Sequence, residues 1–107
     1  MATRVEFRCE TRIEPDHPCL AGHFPGQPVV PAVLLLDEVS EALRTRFGNL
    51  RLLGLPNAKF LQPIAPAVTI QIELIADVAA GSARFRCFSG GQLAAQGELR
   101  FTQLAPQ

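Results

Sequence analysis

Apolar and charged side chains alternate at the start of the chain. Between residues 4 and 13 the odd positions carry apolar, cysteine or threonine side chains, and the even positions carry arginine or glutamate. A period of two is typical of a β-strand with one buried and one solvent-facing side. The pattern therefore predicts a first strand in this segment.

A proline-rich segment follows, from Glu14 to Pro31. It contains Pro15, Pro18, Pro25, Pro28 and Pro31. Each proline fixes its own φ and disfavours helix at the preceding residue, which predicts a shaped loop. The loop also carries several apolar residues, which is unlike a flexible linker.

One long helix is predicted from Ala32 to Phe47, because Pro31 suits a helix start and the next glycine is Gly48. A step of 100° per residue places apolar side chains on one face, namely Ala32, Leu36, Val39, Leu43 and Phe47. Leu34 and Leu35 widen this apolar surface. We therefore expect the helix to be wrapped by a sheet or buried against a partner.

The remainder of the chain returns to strand-like patterns. The predicted strands and turns are Leu50 to Leu55, a Pro56-Asn57 turn, Ala58 to Leu61, Val68 to Leu74, Ala83 to Cys87, a turn over Ser89-Gly90-Gly91-Gln92, and Leu93 to Gln103. One helix followed by three or four strands disfavours a parallel βαβ array. The order predicts an α+β domain with an antiparallel sheet curled around one helix.

Length and charge narrow the class of protein. The 107 residues fit one domain, 1–107, and a domain of this size often associates with a partner. Ten basic and ten acidic residues balance, which argues against a nucleic-acid partner. The chain shows no secretory signal and no apolar run of the roughly 20 residues that a membrane span needs, so we expect a cytoplasmic protein.

The metal-binding residue types are few and scattered. The three cysteines, Cys9, Cys19 and Cys87, form no CxxC pair, and only two histidines are present. These spacings are unlike those of zinc sites and predict reduced thiols and no metal.

Candidate acid and base groups flank the loop and the helix start. His23 lies in the apolar stretch with Phe24 and Val30 and is the natural general base, although a structural role in the loop is the alternative. Asp37 lies at the edge of the apolar face, where it can act as an acid, whereas Glu38 is predicted to face solvent. A favourable charge near the helix N-terminus is the alternative for Asp37.

The first helical turn offers further chemistry. The free N–H groups of Ala32 and Val33 can bind a developing oxyanion.

His17, beside Asp16 in a polar turn, is expected to be a surface residue. No nucleophile elbow and no phosphate-binding glycine motif is present, so covalent catalysis and nucleotide binding are unsupported.

The stretch from Gly22 to Pro31, GHFPGQPVVP, followed by Val33-Leu34 and Leu36-Asp37, resembles the hot-dog-fold 3-hydroxyacyl-[acyl-carrier-protein] dehydratases. Weaker similarity continues through Ala58-Lys59-Phe60 and Pro63. The short chain and its aspartate are also similar to the small dehydratases of aryl polyene pathways.

The resemblance implies an antiparallel sheet around a central helix and a homodimer, or a dimer of dimers, with active sites at the interface. His23 of one subunit would face Asp37 of the other. Ala32 and Val33 would stabilise the oxyanion, and Phe24, Gly26 and Val30 would line the substrate site. The substrate would be a 3-hydroxyacyl thioester on the phosphopantetheine arm of acyl carrier protein, dehydrated to a trans-2-enoyl thioester without metal or cofactor.

Three features depart from the family pattern. Ala32 stands where the family usually has glycine, the chain contains no tyrosine, and Leu61 and Gln62 replace basic residues. The candidates left for contacting an acidic carrier protein are Lys59, Arg44, Arg46 and Arg51, each of which is otherwise an ordinary surface charge. A hot-dog thioesterase and a non-catalytic acyl-binding module are the alternative functions, since one fold supports several activities.

Overall fold

The computed structural model describes residues 4–14, 16 and 30–104. Its elements are β1 (Arg4–Arg12), α1 (Ala32–Phe47), β2 (Leu50–Phe60), β3 (Thr69–Asp77), β4 (Ser82–Ser89) and β5 (Gln92–Gln103). The predicted order of one strand, one helix and a series of strands is confirmed. The predicted helix has the same bounds as α1.

The five strands form one antiparallel sheet in the order β1-β3-β4-β5-β2. Strands β3, β4 and β5 form a meander, and the turn between β4 and β5 has Gly90 and Gly91 at φ of 59° and 78°. Positive φ at both central residues is the geometry of a tight hairpin turn, which glycine adopts without steric cost. β1 and β2 are the two edges of the sheet.

The core lies between α1 and the inner face of the sheet. The helix contributes Leu34, Leu35, Val39 and Leu43, all buried, and the central strands contribute an inward row of large apolar side chains: Ile70, Ile72, Leu74, Phe85 and Phe101. The alternation predicted for these strands is confirmed by their burial patterns. Ala32, which the helical wheel placed on the apolar face, is exposed at the end of the helix.

The expected turn at Pro56-Asn57 is wrong, because β2 is one continuous strand. Its pairing with β5 shifts register between Leu52 and Gly54 and again between Gly54 and Asn57. Pro56, which has no N–H to donate, therefore lies within an irregularity of an edge strand. Such positions are where a sheet tolerates proline.

Candidate active site

Among the described residues, the N-terminus of α1 has no side-chain cap. Pro31 precedes the helix in an extended conformation and provides no side-chain cap, while its carbonyl oxygen accepts hydrogen bonds from the N–H groups of Leu34 (3.1 Å) and Leu35 (3.2 Å). Within the described part of the chain, the N–H groups of Ala32 and Val33 have no acceptor. Free N–H groups at the positive end of a helix stabilise negative charge.

An apolar groove of about 210 Å³ lies at the first residue of the helix, Ala32. The residues that line it come from the helix start, the end of β2 and the following connection, and they include Val30, Ala32, Phe60, Leu61, Gln62 and Ile64. The Val30 N–H donates to the Ile64 carbonyl oxygen at 2.7 Å, which holds the residues before the helix against the β2–β3 connection. The groove therefore combines an apolar lining with donors for an oxyanion.

Asp37 is exposed in the single chain, and Val33, one turn before it, is 66% exposed. Residues four apart lie on the same side of a helix, so these two side chains share one uncovered stripe of α1. No described residue covers Asp37 with a hydrogen bond or an ion pair. A carboxylate in this position is available to a second subunit.

Glu38 has the opposite environment. It is half-buried, and its Oε2 accepts a hydrogen bond from the Thr11 hydroxyl at 3.0 Å. The prediction that Asp37 lies at a buried edge and Glu38 faces solvent is therefore wrong for the single chain. The reason is that β1 covers the helix side that carries Glu38, whereas the side that carries Asp37 remains open. The available sequence signal was Thr11, a polar side chain in the otherwise apolar inward row of β1 that needs a hydrogen-bond partner.

His23, Phe24 and Gly26 lie outside the described residues, as do His17 and Cys19. Ile13, before these residues, and Val30, after them, both form backbone hydrogen bonds with the connection between β2 and β3. The Ile13 carbonyl oxygen accepts from the Ala67 N–H at 2.7 Å, and Val30 bonds Ile64 as described above. This shared anchor was missed by sequence reasoning, since backbone hydrogen bonds between loops leave no residue pattern.

The four predicted carrier-protein contacts are dispersed. Arg44 pairs with Glu41 at 3.3 Å, and the Arg46 guanidinium lies 5.7 Å from the centre of the Phe7 ring. Arg51 and Lys59 are exposed near opposite ends of β2. The structure does not bring these four cations into one patch.

Two cysteines are described, and both are free thiols. Burial raises the pKa of Cys87 to about 12, with a smaller contribution from Cys9. Burial, followed by the nearby Glu38 carboxylate, also raises the pKa of Cys9. Neither environment favours a nucleophilic thiolate.

The described residues contain no group of three or more histidine, cysteine, aspartate or glutamate side chains placed to hold a metal ion. No helix in the ranges that the structure describes has the length and apolar character to cross a membrane.

Comparison with known proteins identifies the family. Residues 2–98 match the family model described as ApeI-like, ApeI dehydratase. The chain belongs to the ApeI-like dehydratases. A curated relative, the 3-hydroxyacyl-[acyl-carrier-protein] dehydratase FabZ of Chlamydia trachomatis, is 35% identical over 80% of this chain. The chain spans 65% of the length of that relative.

Solved structures share the fold of this chain. The dehydratase heterocomplex ApeI:P from Xenorhabdus doucetiae superposes with a TM-score of 0.83 at 25% identity, covering 95% of this chain and 90% of the matched chain. An uncharacterised protein from Erwinia carotovora gives a TM-score of 0.80 at 26% identity, covering 97% and 88%. The predicted hot-dog fold, with its antiparallel sheet and central helix, is confirmed.

Proposed function

We propose that this ApeI-like chain dehydrates a 3-hydroxyacyl thioester carried on acyl carrier protein to the trans-2-enoyl thioester, in fatty acid or polyketide-like biosynthesis such as an aryl polyene pathway. The observation that carries the proposal is the start of α1, which has no side-chain cap and where Ala32, whose N–H is free among the described residues, lines an apolar groove. Family membership adds to this geometry.

The proposed reaction needs one base, one acid and one oxyanion site. His23 removes the C2 proton of the substrate, and negative charge develops on the thioester oxygen. The Ala32 N–H, at the positive end of α1, stabilises that charge. Asp37 protonates the departing 3-hydroxyl, directly or through a water molecule, so that water leaves and the double bond forms. After the step His23 carries one more proton and Asp37 one fewer, and proton exchange with solvent restores both side chains. The phosphopantetheine belongs to the substrate, so the step needs no metal or cofactor.

The proposal includes a homodimer in which His23 and Asp37 of different subunits form each site. Exposed large apolar side chains concentrate at one edge of the molecule, on β2 and just after it: Leu52, Leu53, Leu55, Phe60 and Leu61. Edge pairing of two β2 strands would cover them and continue the sheet. The same arrangement can extend to a dimer of dimers. It can also extend to a mixed complex with a second chain, like the heterocomplex of the Xenorhabdus relative.

The location proposed for the protein is the cytoplasm. The free thiols of Cys9 and Cys87 are in keeping with a reducing compartment.

The test follows enoyl formation and thiol release together from 3-hydroxyacyl thioesters. We expect enoyl product without free thiol. Thiol release without enoyl product would indicate a thioesterase instead, and the absence of both products across a range of chain lengths would indicate an acyl-binding module.

Adjacent carboxylates give a matched pair of variants for this assay. Asp37→Ala and His23→Ala should each lower the rate by at least about a hundredfold, the usual contribution of acid–base catalysis. Glu38→Ala removes a carboxylate one position away and should retain most of the rate, because Glu38 is bonded to Thr11 rather than open. Equal losses at Asp37 and Glu38 would contradict the assignment.

A further inference from the structure

The balanced net charge of the chain conceals an uneven distribution. In the five described strands, the side chains that point away from α1 include eight basic residues, namely Arg4, Arg8, Arg12, Arg51, Lys59, Arg84, Arg86 and Arg100. The same face carries five acidic residues, namely Glu6, Glu10, Glu73, Asp77 and Glu98. The outer face of the sheet therefore has an excess of positive charge, which favours an acidic partner.

A groove of about 550 Å³ lies on this face, lined by Asn57, Lys59, Glu73, Arg84, Arg86 and Glu98 among others. We refer to it as the outer groove. The strand register explains its composition, because Lys59, Gln96 and Arg86 lie in one row across β2, β5 and β4, and Asn57, Glu98 and Arg84 lie in the next. Neighbouring strands are about 4.8 Å apart, so Lys59 and Arg86, which are separated by β5, lie about 10 Å apart across the groove.

The cations of the outer groove differ in whether they form ion pairs within the chain. Glu73 bridges Arg8 at 3.4 Å and Arg86 at 3.5 Å, and the Arg86 guanidinium also lies 5.0 Å from the Phe88 ring centre. Lys59 and Arg84 make no ion pair with any residue that the structure describes, and both are exposed. These two side chains are available to an incoming anionic group without the loss of an existing ion pair.

Of the four cations predicted to contact a carrier protein, Lys59 is the one at the end of β2 where the substrate groove lies. It directly precedes Phe60, which lines that groove. Successive side chains of a strand point to opposite faces, so Lys59 lies on the outer face at this end of β2 and the groove lies on the helix side. Arg51 is eight residues away along β2, about 26 Å at the usual rise per residue. Arg44 and Arg46 already interact with Glu41 and Phe7.

We propose that the outer groove, through Lys59 and Arg84, is the docking site for the acidic surface of the acyl carrier protein. The inference rests on the proposed dehydratase function and names the surface that its partner uses. Edge-to-edge pairing of β2 strands leaves the outer face uncovered, so docking is compatible with the proposed dimer. An arm attached to a protein docked at Lys59 starts at the same end of β2 as the substrate groove.

The test compares one 3-hydroxyacyl chain on acyl carrier protein with the same chain on free pantetheine. The double variant Lys59→Glu/Arg84→Glu should lower kcat/KM for the carrier-bound substrate by about tenfold, mainly through KM, because reversed rim charges slow association. Its kcat/KM for the pantetheine substrate should stay unchanged. The matched double variant Arg12→Glu/Arg44→Glu, with the same change in net charge and away from the β2 edge, should behave like the unmodified chain with both substrates.

Salt provides a second readout. The KM for carrier-bound substrate should rise with ionic strength for the unmodified chain and for the Arg12/Arg44 variant, and much less for the Lys59/Arg84 variant. An unchanged KM in the Lys59/Arg84 variant, or an equal loss in the Arg12/Arg44 variant, would overturn the docking site. Parallel loss with both substrates would also overturn it, since a docking residue does not act on pantetheine. Failure of the unmodified chain on both substrates would instead overturn the dehydratase function.

Discussion

The two edge strands of the sheet are built in opposite ways. β1 pairs with β3 in unbroken register from Arg4 to Arg12, and its outward residues alternate in charge. β2 pairs with β5 through two register shifts and exposes leucines, with Leu53 at 62%. Alternating charge is a usual protection against edge-to-edge association, whereas an exposed apolar edge needs a covering partner.

The contacts of each edge with α1 show the same difference. The Phe7 ring of β1 meets the Phe47 ring edge-on at a centroid distance of 5.8 Å, and Thr11 bonds Glu38. The helix stripe that carries Val33 and Asp37 remains uncovered. The β1 side of the molecule is therefore covered within one chain, whereas the β2 side is exposed and is the side proposed to meet a second subunit.

The largest effect is expected from a charge placed on the β2 edge. Leu53→Arg should prevent dimer formation, because the cost of burying an unpaired charge exceeds the gain from the contact. Activity should fall by about a hundredfold, since each site would lose its acid or its base. Sedimentation gives the oligomeric state, and circular dichroism gives the fold.

The matched change on the other edge is Glu6→Arg, at an exposed position of β1. It should leave the oligomeric state and the activity as they are. An active dimer from Leu53→Arg, or a monomer from Glu6→Arg, would reverse the assignment of the two edges.

Subunit mixing tests whether the partner at the β2 edge completes the site. Dimers of His23→Ala and dimers of Asp37→Ala should each be inactive. After the two are unfolded together and refolded in equal amounts, half of the dimers are mixed, and each mixed dimer has one intact site. Activity should return to about a quarter of that of the unmodified dimer, as follows from two-fold symmetry. No recovery would mean that His23 and Asp37 of one subunit serve the same site.

The comparison of the edges also shows how far sequence reasoning reaches. Local signals predicted four elements closely. Alternating side chains indicated β1, β3 and β4, and the proline and glycine at its two ends indicated α1. The continuity of β2 across Pro56 depends on its pairing with β5, which no local pattern reveals. The environments of Asp37 and Glu38 depend on which helix side β1 covers, and a helical wheel cannot tell which apolar edge meets a strand.

The pH dependence of stability tests the packing of the two thiols on the β1 side of the sheet. Cys9, Ile72 and Cys87 lie in one inward row across β1, β3 and β4. Burial raises the pKa of Cys87 from 9.0 to about 12, so the folded state disfavours the thiolate. The resulting stability is fully present below about pH 9 and is lost as the pH rises toward 12. The free energy of unfolding should fall by up to about 1.4 kcal/mol per pH unit in this window.

Urea unfolding followed by circular dichroism measures this slope, because the chain has no tryptophan or tyrosine for fluorescence. Cys87→Ala should remove most of the alkaline slope, although it also lowers stability at neutral pH by leaving a small cavity. Cys9→Ala, at the half-buried end of the row, should retain most of it. An unchanged slope in Cys87→Ala would show that another group titrates there.

The smallest effect is expected from single polar contacts on the β1 side. Thr11→Val keeps the shape of the side chain but leaves the half-buried Glu38 without its donor, and it should lower the free energy of unfolding by about 1 to 2 kcal/mol. Arg8→Ala removes an ion pair in which the arginine side chain is 83% exposed, and the cost should be about 0.5 kcal/mol or less. Both variants should keep dehydration activity, since β1 supplies no catalytic group. A large loss of activity in Thr11→Val with normal stability would instead give Glu38 a part in the reaction, and the β1 side would no longer be only structural.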